Sequence, residues 1–240
     1  MRGAGAPFEL GDPTGAPLRL ARLHAASPVG RTVVVDGGDL PRPEVEELLV
    51  GGGFEPDGRR GALRATRART LPDLVAPGLR LLVCGLNPSL HAADAAVPYA
   101  GPGNRFWPAA RAVGLVGADR DPWRAVLEDG IGFTDLVKRA TPAAAALTAA
   151  EHRAGLARVE RLCARHAPAA LALVGLAGWR RAADPGALPG WQDRRLGGVP
   201  VYLLPSTSGR NAATGLPALT AHLAAALAGP SRRAASGRRR

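Results

Sequence analysis

The stretch LRLLVCGLNPSLHAADAAVPYAGPGNRFW, residues 79–107, is the most informative part of this chain. It opens with an apolar run that predicts a buried strand, and it turns sharply at Asn87 and Pro88. A rigid loop carrying Tyr99 follows, and a helix is predicted over residues 104–115. Strand, loop and helix in this order form the repeating unit of an α/β fold.

The same alternation continues to the end of the chain. Further strands are predicted at residues 131–137, 170–175 and 199–205, and further helices at residues 149–166, 178–184 and 215–228. Near-continuous apolar strands separated by helices predict a central, mainly parallel sheet covered on both faces, a three-layer α/β/α architecture. The loops GLNPS, GFTD and PSTSGRN each follow a predicted strand, so we expect them to line one crevice at the carboxyl ends of the strands.

The chain divides into four predicted regions. A length of 240 residues with 46% hydrophobic content is enough for a full α/β core. Residues 70–228 form the predicted main domain, and residues 18–69 form a small α/β extension in which no chemistry is legible. Residues 1–17, rich in Gly and Pro, and residues 229–240, rich in Arg, are predicted to be disordered.

The net charge of +11 comes almost wholly from arginine, because Lys138 is the only lysine. This surplus favours a polyanionic partner, although an arginine-rich solvated surface is the alternative interpretation. Cys84 and Cys163 lie in separate apolar segments and indicate neither a disulfide framework nor a metal site. The first residues do not have the pattern of a signal peptide, and no apolar run is long enough for a membrane span, so we expect a cytoplasmic protein with no membrane partner, nucleoid-associated if it is bacterial. We also expect a monomer.

Asn87 is the first candidate for chemistry. The proline after it stiffens the turn and so aims the side chain. An amide oxygen can accept a hydrogen bond from a water and hold that water against an electrophilic carbon. The alternative for an isolated Asn-Pro pair is a turn in which the side chain bonds its own backbone.

Tyr99, Thr134 and Asp135 are the next candidates. Tyr99 is an aromatic ring on a rigid loop, suited to stacking on a nucleobase, unless it simply packs on the core. Thr134 could contact the same water as Asn87, with helix capping as the alternative for both Thr134 and Asp135. If Asp135 were a general base instead, the reaction class would change.

The segment PSTSGRNA, residues 205–212, follows the last predicted strand. Its backbone N–H groups and hydroxyls are suited to gripping phosphates, while Arg210 projects from the turn. Loops of Gly and Ser are often only connectors, so Arg210 and Asn211 carry most of this signal.

Several collinear motifs resemble the mismatch-specific uracil and thymine DNA glycosylases of the uracil-DNA glycosylase superfamily. They are TLPDLVAPGLRLLVCGLNPS, GPGNRFW, GIGFTDLVKRATP and LPSTSGRNA, and together they span about residues 70–228. The resemblance implies a monofunctional enzyme of base excision repair. Such an enzyme flips a base out of mismatched double-stranded DNA and hydrolyses its N-glycosidic bond without a cofactor.

The resemblance also implies roles for individual residues. Asn87 would hold the attacking water with Thr134 beside it, and Tyr99 would stack on the flipped base. The leaving base would lie over Gly85, near the backbone N–H groups of Leu86 and Ser89. The last loop would enter the gap in the duplex, with Arg210 as the wedge; the residues assigned to DNA contact there are Ser206, Thr207, Ser208, Gly209, Arg210 and Asn211.

One residue departs from the family pattern, since Ser89 stands where glycine is common. Added bulk there narrows the expected pocket and favours uracil over thymine, with other damaged pyrimidines and hypoxanthine left open. Two other functions are open on the residues themselves. They are a nucleoside or nucleotide hydrolase that uses Asp135 as base, and a catalytically silent nucleic-acid-binding module.

Overall fold

The structure, a computed structural model, describes residues 6–57 and 61–230. It contains two β-sheets, each with its own hydrophobic core. The N-terminal unit, meaning the described residues from 6 to 67, is built around a four-stranded sheet of order β1-β2-β4-β3. Its elements are β1 Phe8–Glu9, α1 Ala16–Ala25, β2 Thr32–Asp36, α2 Arg42–Gly51, β3 Phe54–Pro56 and β4 Leu63–Arg67.

The N-terminal unit begins earlier than the sequence predicted. Phe8 and Glu9 pair with β2, and Leu10 and Ala16 are fully buried, so the prediction of disorder is wrong for residues 6–17. Pro17 lies in the first turn of α1, where proline's restricted φ suits a helix and its missing N–H costs nothing. Residues 1–5 and the Arg-rich segment 231–240 lie outside the described residues.

The main domain is organised by a five-stranded sheet of order β6-β5-β7-β9-β8. Its first four strands are parallel and only β8 runs antiparallel, which confirms the predicted α/β fold with a mainly parallel central sheet flanked by helices. The strands are β5 Leu81–Gly85, β6 Ile131–Asp135, β7 Leu171–Val174, β8 Gly190–Trp191 and β9 Val201–Leu204. The helices are α3 Leu90–Ala95, α4 Phe106–Ala112, α5 Pro122–Leu127, α6 Ala149–His166, α7 Leu176–Ala182 and α8 Leu216–Ala228, with a 3₁₀ turn at Ala144–Ala146.

Strands β5 and β6 set the position of the predicted site. They are parallel neighbours, with Gly85 opposite Asp135, and both are buried along their whole length. The segments that leave their carboxyl ends stay together, because Val137 N donates to Leu86 O at 2.9 Å and Thr141 N donates to Pro88 O at 3.2 Å. Residues 86–89 and 136–141 therefore run side by side beyond the carboxyl ends of β5 and β6.

The two units are joined by polar contacts around α2 and α6. Asp73 N donates to Gly51 O at 2.7 Å, and Arg165 on α6 forms an ion pair with Glu44 on α2 at 2.6 Å. Helix α6 is itself well defined, since Thr148 and Glu151 form a reciprocal capping box at its start. Throughout residues 6–57 and 61–230, every helix is too short or too polar to cross a lipid bilayer.

Candidate active site

Asn87 is held by its amide nitrogen. Nδ2 donates to Pro88 O at 3.1 Å, to Arg139 O at 3.0 Å and to Thr141 Oγ1 at 2.8 Å. Two of these acceptors are carbonyls, which cannot donate, so the identity of the nitrogen end is settled by its partners. The oxygen Oδ1 has no hydrogen-bond partner among the described residues, and Asn87 is partly exposed. Asn87 Oδ1 is therefore a hydrogen-bond acceptor that is held in position and has no partner among the described residues.

Thr134 does not lie beside Asn87, and the prediction that both contact one water is wrong. The buried hydroxyl of Thr134 donates to Asp73 Oδ1 at 2.6 Å and accepts from Arg158 Nη2 at 2.9 Å. Successive side chains of a strand point to opposite faces of the sheet, so Thr134 lies on the α6 side and Asp135 on the other. Neither residue caps a helix, because both belong to β6.

Thr141 supplies the hydroxyl that contacts Asn87. It accepts from the Asn87 amide and donates to Ala143 O at 3.0 Å, so its proton is already used and its lone pair faces Asn87. Sequence reasoning missed it, although it ends the same GIGFTDLVKRAT motif. Its position depends on the path of residues 136–141 after the strand, which no local pattern specifies.

Asp135 ends β6 as a buried carboxyl group without a hydrogen-bond partner among the described residues. It is 8% exposed, and burial raises its pKa to about 6, against the opposing effect of Lys138 and with a contribution from Asp73. A Cβ atom at Gly85 would lie 2.3 Å from Asp135 Oδ1 and 3.3 Å from the Tyr99 hydroxyl. A larger residue at position 85 would displace the Asp135 carboxyl group, which converges with the Tyr99 phenol group above Gly85.

Tyr99 is held in a backbone conformation that bulky residues avoid. Its φ of 58° lies in the left-handed region, which costs about 1 to 3 kcal/mol. The ring stacks on Phe106 with centroids 4.4 Å apart, and Trp107 fixes the loop by donating from Nε1 to Pro98 O at 2.7 Å. The hydroxyl is buried without a partner among the described residues, and burial raises its pKa well above the usual value. Tyr99 as a whole residue is partly exposed.

Leu86 and Ser89 contribute backbone rather than side chain. The Leu86 side chain points towards Gly178, and the Ser89 hydroxyl caps α3 by accepting from Ala92 N at 3.1 Å. The N–H groups of Leu86 and Ser89 have no partner among the described residues. These two donors lie in the same turn as Asn87.

The last loop divides its predicted DNA-binding residues into two groups. Thr207 is 1% exposed and Asn211 braces the loop, donating from Nδ2 to Ser206 O at 2.8 Å. Both side chains are therefore held within the loop in this structure, and the assignment of Thr207 and Asn211 to DNA contact stays a prediction. Gly209 and Arg210 are exposed, Ser206 and Ser208 are partly exposed, and the Arg210 guanidinium has no partner among the described residues.

Arg105 organises that loop and was missed by sequence reasoning. Its guanidinium donates to three carbonyls, Thr214 O at 2.5 Å, Ser208 O at 2.9 Å and Asn211 O at 2.5 Å. Its backbone N donates to Thr207 O at 2.9 Å. The GNRFW motif was read only as a helix start, although the arginine fork suits several carbonyls at once. Arg105 thereby ties the Tyr99 loop to the last loop.

The described residues contain no cluster of three His, Cys, Asp or Glu side chains able to hold a metal ion. Cys84 and Cys163 are buried and unpaired. Burial raises the pKa of the Cys84 thiol well above its usual value and that of Cys163 to about 12, which makes both poor nucleophiles.

The sequence profile of the uracil DNA glycosylase superfamily matches residues 72–228. The chain therefore belongs to the uracil DNA glycosylase superfamily, and this membership supports a DNA glycosylase, a hydrolase that acts on DNA. The match covers Asn87, Tyr99, Asp135, Thr141 and the whole of the last loop, whereas the N-terminal unit lies outside it.

Proposed function

We propose that this protein is a monofunctional DNA glycosylase that flips uracil out of mismatched duplex DNA and hydrolyses its N-glycosidic bond with a water held by Asn87. The observation that carries the proposal is the orientation of the Asn87 amide. Three acceptors engage the nitrogen, so the oxygen, which has no partner among the described residues, can accept a hydrogen bond from a water. Holding a reactant in place in this way contributes to catalysis without a strong base.

The flipped base would lie on Tyr99. The ring already stacks on Phe106, which holds it in a fixed orientation, and Tyr99 as a residue is partly exposed. Stacking of a base on an aromatic ring is worth about 1 to 3 kcal/mol. The base edge would lie near Gly85, where the Tyr99 hydroxyl and the Asp135 carboxyl group converge.

Bond cleavage then proceeds without a protein nucleophile. The C1′–N1 bond breaks, its electron pair leaves with the uracil anion, and the sugar becomes positively charged. The N–H groups of Leu86 and Ser89 stabilise the anion by donating to it. The water held at Asn87 Oδ1 adds to C1′, its extra proton passes to solvent, and the departed uracil takes a proton from solvent.

Asp135 favours a different function, that of a nucleoside or nucleotide hydrolase. A buried carboxyl group with a raised pKa is a candidate general base, as a nucleoside or nucleotide hydrolase would need. The position of the exposed Arg210 on the last loop favours a polymeric substrate, because a free nucleoside has no gap to fill. We therefore place the DNA glycosylase first.

The test uses labelled duplexes with G:U, G:T or A:U pairs, single-stranded uracil and free deoxyuridine, each followed by alkaline cleavage of abasic sites or by base analysis. We expect wild type to release uracil from G:U duplexes and Asn87→Ala to be inactive. Gln192→Ala is a matched control, because it removes another tied amide at the far edge of the sheet. Hydrolysis of deoxyuridine alone, or full activity of Asn87→Ala, would refute the proposal.

A further inference from the structure

We propose that Thr70, Asp73 and Lys138, here called the Lys138 bracket, are positioning residues for the Asn87 carboxamide. The bracket would connect the start of the main domain, and through it the N-terminal unit, to the reacting water. This inference rests on the proposed function, and its role is distinct from that of the residues that touch substrate.

Lys138 is held at both ends. Its side chain is 8% exposed and Nζ lies 2.8 Å from Asp73 Oδ1, while its backbone carbonyl accepts from the Thr70 hydroxyl. It is the only lysine in the chain. Two contacts from one short segment therefore fix both the side chain and the peptide of a single residue.

The next peptide bonds Asn87 directly. Arg139 O accepts from Asn87 Nδ2 at 3.0 Å, and Thr141 Oγ1 accepts from the same nitrogen at 2.8 Å. The Lys138 carbonyl that Thr70 holds and the Arg139 carbonyl that Asn87 contacts belong to consecutive peptide units, which meet at the Cα atom of Arg139. The bracket therefore acts on the residue directly before an acceptor that orients the Asn87 amide.

Asp73 is a firm anchor for this arrangement. Oδ1 accepts from Thr134 and Lys138, Oδ2 accepts from Arg158 at 2.6 Å, and its backbone N donates to Gly51 O in α2. Burial alone would raise the pKa of Asp73, but Arg158 and Lys138 together hold it below its usual value. The carboxylate is therefore ionised at neutral pH and retains both cations.

The segment that follows β6 is buried at Leu136 and Val137 and also borders a cleft. Leu136, Val137 and Lys138 line a cleft of about 430 Å³ on the side facing α2, where Val50 and Glu47 form part of the opposite wall. Where the segment borders this cleft, the contacts of Lys138 with Thr70 and Asp73 add to the packing of Leu136 and Val137.

The direct test measures the signal of the Asn87 side-chain amide. The chain has three asparagines, Asn87, Asn104 and Asn211, so protein labelled with ¹⁵N-asparagine has three side-chain amide signals, and Asn87→Ala assigns one of them. In Lys138→Met we expect the Asn87 signal to shift and its amide protons to exchange with solvent faster, while the other two signals stay in place. Lys138→Arg, which keeps a cation beside Asp73, should restore the wild-type signal at least in part.

The kinetic readout is single-turnover release of uracil from a G:U duplex. We expect Lys138→Met to lower the rate constant at saturating enzyme about 10- to 100-fold, because a small misplacement of a positioning group is costly, with the duplex Kd changed less than about threefold. Glu44→Gln is the matched control, since it removes another ion pair between the two units at a distance from Asn87. It should leave the Asn87 signal and the rate unchanged.

If Lys138→Met does not fold, Thr70→Val replaces it, because this change removes only the hydroxyl that bonds Lys138 O and leaves the charges intact. An unchanged Asn87 signal in a folded bracket variant would overturn the inference, as would an equal effect of Glu44→Gln. Failure of the proposed function would look different, since the wild-type protein would then lack glycosylase activity while the Asn87 signal still responded to Lys138→Met.

Discussion

Asn87 and Thr141 are joined by a hydrogen bond of 2.8 Å, although 54 residues separate them in the chain. The bond crosses from the segment after β5 to the segment after β6, and it leaves the Asn87 oxygen as the only unoccupied end of the amide among the described residues. Much of the proposed chemistry depends on this orientation.

Thr141→Val should reduce catalysis, and Thr134→Val should reduce stability. Removing the Thr141 hydroxyl loses one acceptor for the Asn87 amide, so we expect the single-turnover rate to fall about fivefold, consistent with about 1 kcal/mol for a hydrogen bond. Thr134→Val instead leaves buried Asp73 and Arg158 short of one partner, which should cost about 1 to 3 kcal/mol of unfolding free energy. Urea denaturation and single-turnover kinetics on both variants separate these effects. A reversal of the two phenotypes would contradict the assignment.

The pH dependence of the reaction should distinguish a charge effect of Asp135 from general-base catalysis. Its pKa is raised to about 6, mainly by burial, and Lys138, Asp73, Arg158, Cys84 and Tyr99 are the ionisable groups around it. Below this pKa the carboxyl is neutral and no longer opposes the developing uracil anion, so the wild-type rate should rise as the pH falls from 8 to 5. A general base would give the opposite slope.

Asp135→Asn supplies the control for that profile and a second prediction on stability. The variant should show no inflection near pH 6. Because the pKa of the carboxyl is higher in the folded protein than its ordinary value of 3.8, its ionisation opposes folding, fully above about pH 6 and not at all below about pH 4. Asp135→Asn should therefore raise the Tm at pH 8 and leave it nearly unchanged at pH 4. A lower Tm at pH 8 would show that the carboxylate has a stabilising partner.

Arg210→Ala should weaken processing of duplex uracil more than that of single-stranded uracil. The side chain is exposed at the tip of the last loop, and only a duplex has a gap for it to fill. We expect about a tenfold loss on the duplex, equivalent to about 1.4 kcal/mol, with little change on the single strand. Equal losses on both substrates would argue that Arg210 contacts phosphates rather than filling the gap.

Arg105→Met tests whether the last loop must be held in shape. The change removes three hydrogen bonds from the guanidinium to loop carbonyls, so we expect a lower Tm and a loss on duplex substrate similar to that of Arg210→Ala. If Arg105 acts by presenting Arg210, the double variant should lose little more duplex activity than either single variant. Additive losses in the double variant would show that the two residues act independently.

The fold could be predicted because its signals are local. Strands β5, β6, β7 and β9 are near-continuous apolar runs, and the long helix predicted at residues 149–166 agrees with α6 at both ends. Residues 6–17 misled the prediction because glycine and proline are typical of disorder as well as of tight turns and helix starts. Only the burial of Leu10 and Ala16 in the folded protein shows that this segment forms turns and a helix start and is not disordered.

The site could be predicted only in part. Asn87 follows a strand and precedes a proline, so its place at the end of β5 was legible, although its catalytic role stays a prediction. Thr134 and Asp135 are adjacent in a strand that is buried on both faces, so no alternation of polar and apolar residues shows which side chain faces which side. The contacts of Thr141 and Arg105 reach across 54 and about 100 residues, which no local pattern can reveal.

The central claim is that the Asn87 carboxamide positions the attacking water, and it is tested most directly by separating chemistry from binding in Asn87→Ala. The measurement is the single-turnover rate of uracil release from a G:U duplex, together with the Kd for the same duplex. We predict a rate at least about 100-fold below wild type, as for loss of a positioning group, with a Kd within about threefold of wild type. A near-normal rate, or a loss explained wholly by weaker binding, would contradict the account.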